Sequence, residues 1–149
     1  MVAAMNDMAQ SARELSSQPD DDQPHGQLAI RTIAMPADAN PNGDIFGGWV
    51  LSQMDLAGGI TASQRAQGRV ATVAVDAMTF HKPVYVGDVL CVYARIVRIG
   101  RTSIAVKLEA WALRRSHGLR ERVTEGLFTM VAIDNEGRPR PVPREEGEA

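Results

Sequence analysis

The stretch Asn40-Pro41-Asn42-Gly43-Asp44-Ile45-Phe46-Gly47-Gly48-Trp49-Val50, running on into Leu51-Ser52-Gln53-Met54-Asp55, decides how the chain is read. It sets a polar, turn-prone loop against a helix opened by two glycines, with one carboxylate at the junction. A helix start exposes unpaired backbone N–H groups and carries partial positive charge. Asp44 therefore sits where the field favours a negative group. Gly47 and Gly48 carry no side chains, so a carbonyl oxygen can approach their N–H groups closely. Two readings stand at this point. Asp44 and the glycines form a helix cap and a turn, a routine arrangement. Alternatively, they combine a carboxylate with an oxyanion-binding backbone, suited to hydrolysis of an activated acyl group.

From Ile45 or Phe46 the spacing predicts a helix to about Arg65. Phe46, Val50, Met54 and Ala57 follow one helical face, and Trp49, Leu56 and Ile60 follow a neighbouring one. Two apolar faces predict a helix largely surrounded by protein. Gly58-Gly59 in its interior costs roughly 1 kcal/mol per glycine relative to alanine. That cost is expected where a neighbour packs too closely for a Cβ. Gly68 is expected to end the helix.

Upstream, Leu28 to Met35 reads as a strand ended by Pro36, and Pro36 to Asp44 as a structured loop. Downstream lie four strand-like runs: Arg69 to Phe80, Asp88 to Ile99, Thr102 to Arg114 and Arg120 to Ile133. Short turns at Gly100-Arg101 and His117-Gly118 make the last three antiparallel neighbours. One sheet and one long helix bury each other if the sheet curls around the helix. The fold class is α+β, with a long central helix wrapped by a curved antiparallel sheet of five to six strands. Several strands are apolar on both faces, so an oligomer is expected to cover the outer one.

The chain has 149 residues and one cysteine, with a formal net charge of −2. One domain is expected at 27–137. Residues 1–26 hold an acidic run without apolar period and are expected to be disordered, and 138–149 to form an extended tail. The dispersed basic residues exclude a nucleic-acid patch. No apolar run approaches the ~20 residues of a membrane span. No export or transit signal is evident, and the lone Cys91 cannot form an internal disulfide, so a reducing, cytoplasmic setting is expected.

The element order and the motif from Asn40 to Asp55 resemble the hotdog-fold acyl-CoA thioesterases, in particular the YciA type. Arg31 to Pro36, Met78 to Val84 followed by Val86 to Val89, Gly100 to Ser103 and Gly137 to Arg140 also look like that family. The resemblance covers roughly residues 28–142 and implies hydrolysis of acyl-CoA to CoA and a free acid. It implies Asp44 as the catalytic carboxylate and the helix N-terminus near Gly47 and Gly48 as the group that polarises the thioester carbonyl. It also implies edge-to-edge dimers with sites at the subunit interface, commonly assembled as trimers of dimers. His81 departs from the family pattern, where an aliphatic residue is expected, and an altered acyl pocket is the anticipated result.

The local chemistry is compatible. A thioester needs less activation than an amide, so Asp44 could serve as general base on water or attack the carbonyl itself. Asn40 and Asn42 either orient the loop, bind water or simply favour turns. Asp55 lies about three helical turns beyond Asp44, which favours a structural or interface role. No glycine-rich nucleotide loop is present, so CoA phosphates need point charges and turn N–H groups. Arg101, Thr102 and Ser103 are candidates, as is Lys82. Met54, Phe80 and His81 are candidates to line an acyl channel. Cys91 is expected in the core, and His25, His81 and His117 have no metal-site spacing. No cofactor is expected beyond CoA as part of substrate and product. Two other readings remain. A hotdog hydratase or dehydratase would want a histidine near the central helix, and none falls between His25 and His81. A non-catalytic acyl-CoA sensor would usually carry a DNA-binding segment, and residues 1–26 offer none.

Overall fold

A computed structural model describes residues 22–145 and 147. Five strands and one long helix follow in the expected order: β1 (Gln27–Ile33), α1 (Gly47–Ala66), β2 (Val70–Phe80), β3 (Val89–Ile99), β4 (Ser103–Leu113) and β5 (Arg120–Ala132). A one-turn 3-10 helix, Pro36–Asp38, interrupts the loop after β1. The sheet is antiparallel throughout, in the order β1-β3-β4-β5-β2. β1 and β2 are therefore its two edges.

The side chains that alternate toward α1 make the core. Leu90, Val92, Ile104, Val106, Leu108, Phe128 and Met130 meet Val50, Met54, Ala57 and Ala62 of the helix, all at 2% exposure or less. The helix buries only one of its two apolar faces in the protomer. Leu56 and Ile60 on the other are 57% and 43% exposed, and Phe46 is also exposed. The helix surrounded by protein is thus half realised within one chain.

The paired glycines divide the same way. A Cβ on Gly58 would lie 2.6 Å from Met130 Cε and 3.1 Å from Leu108 Cδ1, whereas one on Gly59 would meet nothing within 4 Å. Close packing explains the first glycine and not the second. At the far end, Gln67, not Gly68, takes the left-handed conformation (φ 52°). The N–H groups of Gln67 and Gly68 reach back to Gln64 and Ser63, satisfying the last carbonyls. Gly68 makes room instead: Arg140 Nη2 stands 2.5 Å from where its Cβ would be and donates to the Ala66 carbonyl at 2.8 Å.

The tail expected at 138–149 is, over residues 138–145, extended but docked. Val142 is buried, its N–H donates to the Arg101 carbonyl at 2.9 Å, and Arg65 Nη1 donates to the Pro143 carbonyl at 2.5 Å. The extension expected at 1–26 lies outside the described residues as far as residue 21. Residues 22–26 run over the outer sheet face, where the His25 N–H donates to Glu109 Oε2 at 2.8 Å and Arg120 Nη2 donates to Gln23 Oε1. Arg120 also lies over the Trp111 ring, 5.7 Å from its centroid. Glu109, Trp111 and Cys91 on this face are consequently buried by their own chain.

Candidate active site

The loop before α1 is built on Asn40. Its Oδ1 accepts the N–H groups of Asn42 (2.9 Å) and Asp44 (3.1 Å). Its backbone N–H donates to the Asp44 carbonyl at 2.7 Å, and its carbonyl accepts from Gly43 at 3.0 Å. Gly43 closes the turn at φ +90°, a conformation that favours glycine. Asn40 thus orients the loop, through an Asx turn, while Asn42 stands exposed at its tip.

Asp44 is also held from outside. It forms an isolated antiparallel bridge with Tyr85, and the next N–H, of Ile45, donates to the Val84 carbonyl at 3.0 Å. The carboxylate side chain is left half-exposed beside the start of the helix. Phe46 is the N-cap and offers no side-chain cap, so the Gly47 and Gly48 N–H groups have neither intrahelical nor capping acceptor. The Phe80 ring, from the end of β2, stands 3.5 Å from the Cβ position of Gly47, while Gly48 faces open space. The structure therefore gathers Asp44, Gly47, Gly48, Asn40, Asn42 and Phe80 at one end of α1.

Gly48 opens onto an apolar cleft of about 290 Å³ with Leu51, Val75 and Phe128 in its walls. Asp55 and Thr72 also line it, joined by a hydrogen bond from Thr72 Oγ1 to Asp55 Oδ1 at 2.6 Å. Met54 lies behind, fully buried between helix and sheet. His81 and Lys82 follow Phe80, with both N–H groups on the Val123 carbonyl. They line an outer-face cleft with Trp111 and Arg120. The Lys82 ammonium is 3.0 Å from Glu121 Oε1, so within the protomer its charge is answered.

Arg101, Thr102 and Ser103 lie at the other end of the molecule. Arg101 shares an open cleft of about 730 Å³ with Arg65, Pro143 and Arg144, beside the last turn of α1. The twenty residues of α1 span about 30 Å at 1.5 Å per residue. One protomer thus holds the carboxylate and the hairpin cations roughly a helix length apart.

Sequence reasoning missed the group that holds the 83–88 loop. Arg114 and Asp88 are both almost wholly buried and paired, Nη1 to Oδ2, at 2.6 Å. Arg114 Nε reaches Glu121 Oε2 at 2.8 Å. Burial works against the guanidinium's charge, but its hydrogen bonds to the Glu121 and Asp88 carboxylates more than offset it and raise its pKa above the ordinary arginine value. Reciprocally, the hydrogen bond from Arg114, with help from Lys82, lowers the Glu121 pKa. Twenty-six positions separate the two partners, and no motif spacing signals the pairing.

The model of the thioesterase superfamily matches residues 42–116, half of the chain. The acyl-CoA thioester hydrolase YciA of Salmonella typhimurium is 54% identical over 126 residues, covering 83% of this chain and 95% of that protein. This chain belongs to the YciA-type hotdog thioesterases. Among solved structures of the family, a hexameric thioesterase from Yersinia pestis is 55% identical with a TM-score of 0.79, covering 83% of this chain and all of that one. A hexameric broad-specificity acyl-coenzyme A thioesterase is 52% identical with a TM-score of 0.80, covering 83% and 86%. The hotdog fold and the enzyme class expected from the motif both stand on these matches. All the segments that carried the resemblance fall among the described residues. The helix they flank is the one that the sheet wraps.

Proposed function

We propose that this protein hydrolyses acyl-CoA thioesters to CoA and a free carboxylic acid. The observation that carries the reading is the start of α1, where among the described residues no side chain caps the Gly47 and Gly48 N–H groups, three and four residues after a half-exposed carboxylate. Asp44 takes a proton from water as the water oxygen bonds to the thioester carbon, or adds to that carbon itself. In either route the carbonyl oxygen gains negative charge, which the Gly47 and Gly48 N–H groups stabilise, a contribution typically of about 3–4 kcal/mol per donor. The C–S bond then breaks, and the CoA sulfur receives a proton; in the second route water then hydrolyses the Asp44–acyl anhydride, releasing the acid and restoring the carboxylate. Asn40 holds the loop, and Asn42 at its exposed tip binds water. Phe80 and the cleft at Gly48 take the acyl group, with Met54 shaping its floor from behind, and His81, next to Phe80, meets the substrate from the outer-face cleft. No cofactor enters the reaction.

Recognition of CoA phosphates falls to Arg101, Thr102 and Ser103, with Lys82 as a further cation. Because the hairpin lies about a helix length from Asp44 in one protomer, the site is completed by a second subunit. The bare edge of β2, with Val73 and Val75, and the exposed Leu56 and Ile60 of α1 support edge-to-edge pairing. The family's hexameric relatives support assembly of three such dimers. The setting is cytoplasmic.

The test is release of free thiol from acyl-CoAs of graded chain length by the wild type and by Asp44→Ala. Wild-type hydrolysis that survives the substitution removes Asp44 from its role. No hydrolysis of any acyl-CoA by the wild type favours a sensor. A monomeric mass by light scattering contradicts the shared site.

A further inference from the structure

We infer that Arg114 and Asp88 are positioning residues for Asp44: their buried pair fixes the 83–88 loop, and that loop holds Asp44 against the start of α1. The inference rests on the reading of Asp44 as the catalytic carboxylate. Among the described residues neither hydrogen-bonds to Asp44, Gly47 or Gly48. Both act on the segment that, among the described residues, bridges the backbone of Asp44 from outside its own loop.

The pair grips that segment at several points. Arg114 Nη1 donates to Asp88 Oδ2 at 2.6 Å and to the Pro83 carbonyl at 2.8 Å. Asp88 Oδ2 also accepts the Tyr85 N–H at 3.0 Å. The Tyr85 ring lies over the guanidinium, 5.4 Å from its centroid. One guanidinium and one carboxylate thus fix the residues on either side of Val84. Val84 and Tyr85 are the two that Ile45 and Asp44 pair with. The chain of contacts is continuous: Arg114, Asp88, Tyr85 backbone, Asp44 backbone.

Stability alone is a poor account of this arrangement. Apolar residues of similar volume often replace a buried ion pair without loss. What they cannot reproduce is the directional fork that holds a carbonyl and a carboxylate at fixed angles. The reaction needs the carboxylate placed to within a fraction of an ångström of its productive geometry. Glu121 completes the cluster. It holds Nε from β5, so the fork cannot swing away from the loop.

The test compares wild type, Arg114→Lys, Glu121→Gln, Asp44→Ala and the double variant Arg114→Lys/Asp44→Ala, with butyryl-CoA as probe. Arg114→Lys is expected to lower kcat tenfold or more with KM within twofold, and exchange of the Ile45 amide proton is expected to accelerate. The double variant is expected to be no slower than Asp44→Ala alone. A role in folding alone would instead slow the double variant in proportion, because independent effects add in free energy. Additive slowing, or wild-type kcat in Arg114→Lys, overturns the proposal. Should Arg114→Lys fail to fold, Glu121→Gln carries the test: a kcat several-fold down supports the proposal, and an unchanged kcat overturns it. Undiminished hydrolysis by Asp44→Ala defeats the catalytic reading instead. Faster Ile45 exchange in Arg114→Lys would still show, separately, that the pair holds the loop.

Discussion

Asn40 Oδ1 accepts the backbone N–H of Asp44 at 3.1 Å, so a neutral side chain sets the backbone of the carboxylate four positions on. Removing it strips acceptors from two N–H groups at once, since Asn42 shares the same oxygen. Asn40→Ala is expected to cost about 1–2 kcal/mol of stability and to lower kcat of thiol release. Asn40→Asp keeps an acceptor in place and is expected to retain most of both. Denaturant melts and steady-state rates on the two variants check the pair of outcomes. Equal loss in both would show that the amide N–H₂, not the oxygen, is the group that matters.

Glu121 provides a pH signature. Its folded pKa is lowered, first by the hydrogen bond from Arg114 and then by that from Lys82. A carboxylate with a depressed folded pKa contributes stability above its unfolded pKa and loses it as pH falls through the folded one. Glu121→Gln is therefore expected to be less stable than the wild type at neutral pH. The gap closes on acidification, beginning where free glutamate titrates, near 4.3, and finishing below it. Thermal melts from pH 7 to pH 3 measure it. A gap that stays constant across that range would contradict the assignment.

Strand β2 contains a strained residue. Ala77 has φ 53°, at a register shift between Asp76 and Thr79. Left-handed backbone costs a non-glycine residue roughly 1–2 kcal/mol. Ala77→Gly is expected to be neutral or stabilising by up to about 1 kcal/mol, although glycine normally weakens a strand. A clear drop in melting temperature would mean that the alanine methyl packs against something more valuable than the strain it carries.

The helix glycines separate packing from propensity. Gly59 has open space at its Cβ position, so Gly59→Ala is expected to stabilise by about 1 kcal/mol. Gly68→Ala meets Arg140 Nη2 and is expected to destabilise by a similar amount, as the guanidinium leaves the Ala66 carbonyl. Denaturant midpoints of the two variants should move in opposite directions. Destabilisation by Gly59→Ala would bring the second subunit into contact at Gly59 itself, and not only at Leu56 and Ile60.

Cys91 is buried on the outer sheet face. Burial pushes its thiol pKa up, and the charges of Arg31 and Arg120 only partly offset this. Its reaction with a disulfide reagent at pH 8 is expected to be at least tenfold slower in the native protein than in guanidinium, because only an accessible thiolate reacts. Comparable rates in both conditions would place the thiol at the surface.

The fold was legible because its signals are local. The Gly100-Arg101 and His117-Gly118 turns and the alternation in β3, β4 and β5 specify neighbours that lie close in sequence. The partner of β2 is not local, and nothing in Val70–Phe80 names β5 as its mate. At the site, the polar loop ahead of Gly47-Gly48 showed which residues share one end of α1. The same reading grouped Arg101, Thr102 and Ser103 with Asp44 by family likeness. Only the direction of α1 reveals that they stand at its opposite ends in a protomer. Helix ends were harder. Gly68 carries the composition of a left-handed cap, yet its space is taken by Arg140, seventy-odd positions on, and Gln67 bears the strain instead. Arg114 and Asp88 read as ordinary strand-end charges, because burial is a property of the assembled sheet.

The order β1-β3-β4-β5-β2 has a consequence for synthesis on the ribosome. The nascent chain makes β2 third among its elements, and the strand that pairs with it last. Through the emergence of β3 and β4, β2 can only wait beside α1, with Val73 and Val75 available to any other extended segment. Cotranslational folding must therefore stall at a helix and an incomplete sheet until β5 has cleared the exit tunnel. Ribosomes translating the same message in close succession would carry several such waiting strands side by side.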